Sequence, residues 1–312
     1  MTTGLISMAG LSGCAASDAP IPVAINNWIG YALMFLAREE GHLAESTARL
    51  IEFPSNTASM LALANRDVMA AALTLDELLL AREEGLDVRV VLVFDESNGA
   101  DALLAVPSIQ NLSDLRGKRL GIESSAVGAL MLSRVLEAAD LQPADVVKVP
   151  LTADQHLSAY EAGKVDAVIT FEPMASQLRA VGARNLFDSS RLPGLIVDVL
   201  AVHAEVVASS APQIRALLRG YFLAMRHLRD KPHEAAVVLG RQMFLTPDVV
   251  EQALRGIRLP DLEENRRWLG GSAPHLMEAS AAVSAVMQAA ALLRQAPSLA
   301  GLCEPSFLPK GA

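Results

Sequence analysis

The chain has 312 residues, of which 52% are hydrophobic and 20% are charged, and its net charge is -9. Hydrophobic cores usually stop growing near ~250 residues, so this length predicts two α/β domains. The negative charge, the lack of Lys/Arg-rich runs and an aromatic content of 4% exclude nucleic acid as a partner. No apolar stretch reaches the ~18 residues of a transmembrane helix, so the chain is not expected to span a membrane.

Residues 1–20 contain a candidate lipid-attachment site. The sequence Leu11-Ser12-Gly13-Cys14 resembles the lipobox of bacterial lipoproteins, in which the cysteine is acylated and becomes the first residue of the mature chain. A signal peptide also needs a positively charged segment, and the first basic residue is Arg38, so we expect the true start further upstream. A doubly acylated Cys14 would anchor the protein stably at the periplasmic membrane face or the cell surface. The alternative is a frayed terminus with a chance cysteine.

The next part of the chain alternates short apolar strands with amphipathic helices. Helices are expected from Gly30 to Glu40, from Asn56 or Thr57, and from Thr74, which is followed three residues later by Glu77 at the spacing of a capping box. The strands are predicted at 21–25, 49–53, 69–73 and 87–94. This order predicts a parallel sheet with helices on both faces.

The pattern begins again after residues 111–117, which implies a second lobe. Its strands are predicted at 118–122, 146–149 and 165–169, and its helices from Ser124 or Ser125 to Ala139, at 155–162 and at 173–181. A strand at 196–202 and helices at 212–229, 232–243 and 279–293, with no strand between them, follow. Helices alone have too few packing partners, so this last part is expected to return to the first lobe.

These elements predict a tether and two lobes. The predicted division is 1–20 for the signal and tether, 21–104 for the first part of lobe one, 105–194 for lobe two, and 195–312 for the return to lobe one. The chain is expected to cross between the lobes at 104–107 and at 192–196.

Three ordered motifs resemble the nitrate/sulfonate/taurine and thiamine-precursor solute-binding family, the NMT1/THI5-like proteins. They are Trp28-Ile29-Gly30-Tyr31 with residues 37–43, residues 112–121, and residues 163–167 with 170–173. The resemblance covers about 21–202. It implies a type II periplasmic-binding-protein fold with a ligand cleft that closes by hinge motion. It also implies a small-molecule solute delivered to the permease and ATPase subunits of an ABC importer.

Ligands of open α/β sheets bind beyond the carboxyl ends of the strands, near helix N-termini. The candidate ligand-binding residues at these positions are Asn27, Trp28, Ser55, Asn56, Thr57, Thr74, Asp95, Asn98, Asp101, Ser124, Ser125, Ala126, Val127, Gly128, Thr170 and Glu172. Trp28 can stack on a solute or pack at the rim of the cleft. The small-residue turn 124–128 suits a carboxylate, a sulfonate or a polar ring edge, and the alternative is an ordinary helix N-cap.

The segment from Asp95 to Asp101 holds three carboxylates next to the expected crossing. Together with Glu172 and Asp198 it predicts an acidic cleft, which favours an amine-bearing solute, such as an amino-pyrimidine or a polyamine-like compound, over nitrate or bicarbonate. The alternative is that these Asp and Asn side chains only cap turns.

Two other functional classes remain as alternatives. The family also resembles thiamine-pyrimidine synthases, which carry a cysteine-rich motif and a cofactor-linking lysine, whereas this chain has only Cys14 and Cys303. Its six histidines are scattered without metal-ligand spacing. We therefore expect no enzyme activity, no metal and no cofactor. The second alternative is a ligand-sensing module for a separate membrane signalling protein.

Overall fold

The structure, a computed structural model, describes residues 19–123 and 126–311, and the side chain of Ala126 lies outside what it describes. Cys14 and its predicted lipobox also lie outside the described residues, as do Ser124 and Ser125. Within these ranges, none of the helices is long and apolar enough to cross a membrane.

The strands fall into two mixed sheets. They are β1 (Ile21–Ile25), β2 (Ala48–Glu52), β3 (Ala70–Thr74), β4 (Val88–Ser97), β5 (Asp101–Ala105), β6 (Arg119–Ile122), β7 (Val147–Pro150), β8 (Ala167–Phe171), β9 (Arg184–Asp188), β10 (Val197–His203) and β11 (Ile257–Arg258). The first sheet has the order β11-β4-β10-β3-β1-β2, and the second has the order β7-β6-β8-β5-β9. Each sheet forms the centre of one lobe.

Helices cover both sheets. They are α1 (Ala32–Glu39), α2 (Asn56–Ala64), α3 (Leu75–Glu83), α4 (Ala126–Ala139), α5 (His156–Glu161), α6 (Met174–Ala180), α7 (Ala204–Ser209), α8 (Ala211–Asp230), α9 (Pro232–Met243), α10 (Pro247–Leu254), α11 (Leu262–Leu269) and α12 (His275–Ala289). Helix α3 begins with the expected capping box of Thr74 and Glu77, in which the Thr74 N–H donates to Glu77 Oε2 at 3.1 Å. Helices α7, α10 and α11 and strands β5, β9 and β11 were not predicted.

The expectation of a purely parallel sheet is wrong. Strand β10 lies between β3 and β4 and runs antiparallel to both, and β5 runs antiparallel to β8 and β9. The reason is the path of the chain. The chain leaves the first sheet at the C-terminal end of β4 and re-enters it at that same end as β10, so β10 must run antiparallel to β4.

The first crossing between the lobes also lies earlier than predicted. Residues 101–104, predicted as part of lobe one, belong to β5 of the second sheet, so the chain crosses at 98–100 rather than at 104–107. The apolar residues of β4 end at Phe94 and those of β5 begin at Ala102, with the mostly polar segment 95–101 between them, in which Gly99 has a φ of 109°. The sequence alone does not show which sheet β5 joins.

The C-terminal helices pack on the first sheet, as expected. Leu217 and Tyr221 of α8, Leu239 of α9 and Val283 of α12 lie in one buried cluster with the residues of β1, β3 and β4. The first lobe therefore contains both ends of the described chain, and the second lobe is built from one continuous segment.

Strand β4 is hydrogen bonded along its outer edge by three separate segments. Strand β11 pairs with Glu96 and Ser97. The side chain of the buried Asn265 in α11 makes two hydrogen bonds to the backbone of Val93: its Oδ1 accepts from the Val93 N–H at 2.8 Å, and its Nδ2 donates to the Val93 carbonyl at 3.1 Å. Val90 donates to the Leu302 carbonyl at 2.7 Å and accepts from the Glu304 N–H at 2.9 Å. The Asn265 side chain thus replaces a strand residue.

Replacement of Asn265 by alanine should lower the free energy of unfolding by about 3 kcal/mol, because it leaves the buried N–H and carbonyl of Val93 without partners. Urea denaturation measures this change. The matched control is Gln252→Ala on the exposed face of α10, which should change stability by less than ~0.5 kcal/mol. Equal stability of the two variants would show that Asn265 does not act as a strand substitute.

Candidate ligand-binding cleft

Two adjacent cavities lie between the lobes. The first is lined by Trp28, Tyr31, Asn56, Thr74, Asp101, Val127, Phe171, Ile196 and Asp198. The second is lined by Asp101, Glu123, Val127, Gly128, Met131, Ile169, Thr170 and Phe171. Because Asp101, Val127 and Phe171 line both, the cavities are two ends of one cleft. Each has a volume of about 10 Å³, which is room for one water molecule, so the lobes must separate before a solute can enter.

Trp28 connects the two lobes across this cleft. Its indole Nε1 donates to Asp95 Oδ2 at 3.1 Å, and its ring meets Phe171 of the second lobe edge to face, with centroids 5.8 Å apart. A Cβ at Gly30 would lie 1.8 Å from Asp95 Oδ2 and 2.4 Å from the indole nitrogen. Glycine is therefore required beside Trp28 for the indole to reach the carboxylate.

A second hydrogen-bond network fixes the loop after β1. The buried Asn26 accepts from the Trp28 N–H at 3.0 Å and donates through Nδ2 to Asn56 Oδ1 at the start of α2. The Tyr31 hydroxyl donates to Asp198 Oδ1 of β10. Both aromatic residues of the first motif are thus held by polar groups from other strands or helices.

Seven acidic side chains are buried in the described part of the chain, and no lysine or arginine is. They are Asp76, Glu77, Asp95, Asp101, Glu123, Glu172 and Asp198. Asp95 and Asp198 are direct partners in the β4–β10 ladder. Among these residues only Glu172 forms an ion pair, with Arg179. The cleft therefore concentrates carboxyl groups almost without positive counter-charge.

Burial raises the pKa of most of these carboxyl groups. The pKa is raised to about 7 for Asp101, to about 7 for Glu123 and to about 6 for Asp76. For Asp95 and Asp198 it lies well above the usual range, since burial and then the neighbouring carboxylates disfavour the charged form. Near neutral pH the cleft therefore holds protons that a bound cation could displace.

Several carboxylate oxygens in the cleft accept no hydrogen bond from the described residues. They include Oδ2 of Asp101 and Oδ2 of Asp198, and neither oxygen of Glu123 receives a bond from a side chain. All three residues line the cavities and are at most 6% exposed. Buried acceptors without donors are costly, so these oxygens are suited to a ligand that brings its own N–H groups.

In the second cavity, Thr170 is held by a neutral histidine. Its Oγ1 lies 2.9 Å from Nδ1 of the buried His156, and burial lowers the pKa of that imidazole to about 4. The imidazole is therefore uncharged at neutral pH and does not offset the charge of the carboxylates.

The sequence family described as NMT1/THI5 like matches residues 28–235, which is most of the chain. This chain belongs to the NMT1/THI5-like family. The family that the sequence motifs predicted is thus confirmed. Among curated protein sequences, none matches the chain significantly.

Solved structures show the same fold at low sequence identity. The alkanesulfonate-binding protein SsuA from Xanthomonas axonopodis pv. citri, bound to MOPS, is 19% identical with a TM-score of 0.76, over 92% of this chain and 99% of that one. The ligand-binding component of an ABC-type import system from Staphylococcus aureus, with zinc bound, is 13% identical with a TM-score of 0.77, over 94% and 99%. The desulfurization enzyme DSZB is 18% identical with a TM-score of 0.65, over 93% and 97%. The predicted two-lobed periplasmic-binding-protein fold is confirmed.

The cleft of this NMT1/THI5-like chain contains part of the predicted residue set. The predicted residues that line its cavities are Trp28, Asn56, Thr74, Asp101, Val127, Gly128 and Thr170. Asp95 lies directly behind Trp28. Ser124 and Ser125 and the side chain of Ala126 fall outside the described residues, so their predicted contacts stay predictions.

Other predicted residues lie elsewhere. Asn27 and Asn98 are exposed, and it is the preceding Asn26 that turns inward. Ser55, rather than Asn56 or Thr57, caps α2 by accepting from the Ala58 N–H at 3.1 Å. Thr57 is half-buried and does not line either cavity.

Glu172, predicted as a ligand-binding residue of the acidic cleft, does not line either cavity. Its Oε2 accepts from the Ser176 N–H at 3.0 Å in the first turn of α6, and its Oε1 pairs with Arg179. Both oxygens are therefore already bound, and the charge is balanced within the second lobe.

Seven lining residues were not among the predicted site residues, although Asp198 had been considered for the acidic cleft. They are Tyr31, Glu123, Met131, Ile196 and Asp198, together with Ile169 and Phe171, which flank the predicted Thr170. Glu123 directly follows β6, so the strand-end rule could have identified it. Asp198 is the second residue of β10, and the rule considers only the carboxyl ends of strands.

The free energy of unfolding should fall as the pH rises from ~6.5 to ~8.5. A carboxyl whose pKa is higher in the folded chain than its unfolded value of ~4 binds more protons when folded, and it loses this stabilisation as the pH passes its folded pKa. The loss runs from the unfolded to the folded pKa, so Asp101 and Glu123, with pKa values of about 7, lose most of it below pH ~6.5 and the last part in this range, where His156 no longer opposes it. We expect the melting temperature to drop by about 3 °C in calorimetry.

Asp101→Asn should flatten this pH dependence and raise the melting temperature at the higher pH. The control is Asp114→Asn, because backbone N–H groups of Asn111 and Gln110 lower the pKa of that exposed carboxyl and it stays ionised throughout the range. Burial lowers the pKa of His156 to about 4, whereas an unfolded histidine titrates near ~6.5. This residue therefore makes the free energy of unfolding rise with pH, but only below pH ~6.5. An unchanged slope in Asp101→Asn would contradict the assignment.

Proposed function

We propose that this chain is the solute-binding component of an ABC importer and that its solute is an organic cation bearing an amine or an amino-pyrimidine. The observation that supports the proposal is the set of buried carboxylate oxygens without hydrogen-bond donors that line the cleft between the lobes. The family membership and the two binding proteins of the same fold support the transport role.

Solute capture follows from the positions of these groups. When the lobes separate, Asp198 and Asp101 become accessible, and the N–H groups of an amine can donate to their unpartnered oxygens. Trp28 and Phe171, which contact each other here, would then close on the apolar part of the solute instead. The closed cleft excludes water, which strengthens each charged hydrogen bond.

An anionic solute fits this cleft poorly. Sulfonate-binding proteins share the fold, but here no buried lysine or arginine is present in the described residues to hold an anion, and six of the seven buried acids lack an ion pair. A sulfonate would have to enter next to carboxylates and would itself lose hydration. We therefore propose a different solute class from that of the sulfonate-binding proteins.

A nucleophilic enzyme is disfavoured by the cysteine chemistry, although the enzyme DSZB has the same fold. Cys303, the free cysteine of the described residues, forms a β-bridge with Val90 and does not line the cleft. Burial raises the pKa of its thiol to about 11, so it is not a thiolate at neutral pH. We propose a binding role without chemistry.

Attachment to the membrane through Cys14 completes the proposal. An acylated Cys14 would hold the protein beside the permease and ATPase subunits on the extracytoplasmic side. Mass spectrometry of the protein from a membrane fraction, compared with a Cys14→Ser variant, tests for the acyl chains.

Titration calorimetry with small amines and with matched alkanesulfonates tests the solute class. We expect an amine to bind and the sulfonates not to bind, and an amine at ~100 times its Kd should add ~2.7 kcal/mol of stability. Asp198→Asn should weaken amine binding about tenfold or more, because it removes a charged acceptor. Asp248→Asn, an exposed carboxylate of the same lobe, is the control and should bind normally. Tight sulfonate binding with no amine binding would overturn the proposal.

A further inference from the structure

The carboxylates of the cleft are arranged in sequence rather than around one point. Asp198 lines only the first cavity, Glu123 lines only the second, and Asp101 lines both. They come from three different strand ends, namely the start of β10, the residue after β6 and the start of β5. The negative groups therefore extend along the cleft from one end to the other.

Each of the three carboxylates has acceptor capacity left over. Among the described residues, no donor binds Oδ2 of Asp198 or Oδ2 of Asp101. Glu123 has no side-chain donor; burial raises its pKa, and the backbone N–H of Asn56 acts to lower it. The three side chains are 1%, 5% and 6% exposed, respectively. The two cavities, of about 10 Å³ each, have room for about one water molecule apiece, so these oxygens have few other donors in the closed cleft.

Most of the wall between the two ends is apolar. Val127 and Phe171 line both cavities, Ile196 and Trp28 line the first, and Met131 lines the second. The neutral polar side chains of Asn56, Thr74 and Thr170 are also part of the lining. A group lying between Asp198 and Glu123 thus meets mostly aliphatic and aromatic surface, with the carboxyl of Asp101 between the two ends. This pattern matches a molecule with charged ends joined by hydrocarbon, and it leaves an acceptor for a further nitrogen opposite Asp101.

We infer that the solute carries at least two protonated nitrogens separated by a short hydrocarbon spacer, as in a linear diamine or polyamine. This inference rests on the proposed function, since it divides amine solutes into those that satisfy one end of the cleft and those that satisfy both. An ammonium group has three N–H donors around one atom, so a monoamine at Asp198 leaves Glu123 unsatisfied. A second ammonium removes that penalty and contributes its own charged hydrogen bonds.

Calorimetry of the full chain with three compounds of equal length tests this inference. The probes are 1,5-diaminopentane, pentylamine and 5-aminopentanoate, which share a five-carbon chain. Diamines with three, four and six carbons are also measured, because the spacing between the two ends of the cleft selects one spacer length. We expect the best diamine to bind about tenfold or more tighter than the monoamine of the same length. We expect the amino acid to bind most weakly, because its carboxylate meets an acidic end.

Variants at the two ends give an independent readout. Glu123→Gln and Asp198→Asn should each weaken diamine binding, whereas only one of them should change the affinity for the monoamine. Glu161→Gln, an exposed acid of the second lobe, and Asp248→Asn are the matched controls and should bind the diamine normally. Thermal melting of every variant shows that each is folded.

The outcomes separate the two proposals. If monoamines bind as tightly as every diamine of the series, the inference of a dication is wrong, while the proposed amine-binding function stands. The same holds if both substitutions affect monoamines and diamines equally. If no amine of either kind binds, the proposed function and the inference both fail.

Discussion

Burial of carboxyl groups without positive counter-charge is the constraint that shapes this protein. A carboxylate removed from water must be paired, hydrogen bonded or protonated. Here the β4–β10 ladder places Asp95 opposite Asp198, and each of them receives one donor, the indole of Trp28 or the hydroxyl of Tyr31. The first sequence motif therefore encodes the donors that make a buried acidic pair tolerable, and Gly30 makes room for one of them.

The route of the chain places the remaining acids. Because the chain leaves the first sheet at the end of β4 and returns beside it, β10 enters the sheet at the edge where β1 and β3 end. Its second residue, Asp198, consequently lies opposite Thr74. The same crossing brings Asp101 to the start of β5, between the lobes. Residues separated by about a hundred positions thus share one cleft as a direct result of two reversals in strand direction.

The sequence predicts the part of this site that depends on local rules. Strands, helices and the carboxyl ends of parallel strands follow from periodicity, so Trp28, Asn56, Thr74 and Thr170 could be placed near the cleft. Asp198 could not be placed by that rule, because its position depends on an antiparallel insertion. The charge of Glu172 is balanced by Arg179, which lies near the end of α6. The sequence alone does not show that the two side chains pair.

The edge of β4 has a separate consequence. A strand at the rim of a sheet offers free N–H and carbonyl groups to any extended chain that approaches it. Here β11, the side chain of Asn265 and the segment around Cys303 occupy these groups at successive positions along β4. These C-terminal segments occupy the backbone hydrogen-bonding groups of β4 without forming a full-length strand. They thereby remove a template for edge-to-edge aggregation.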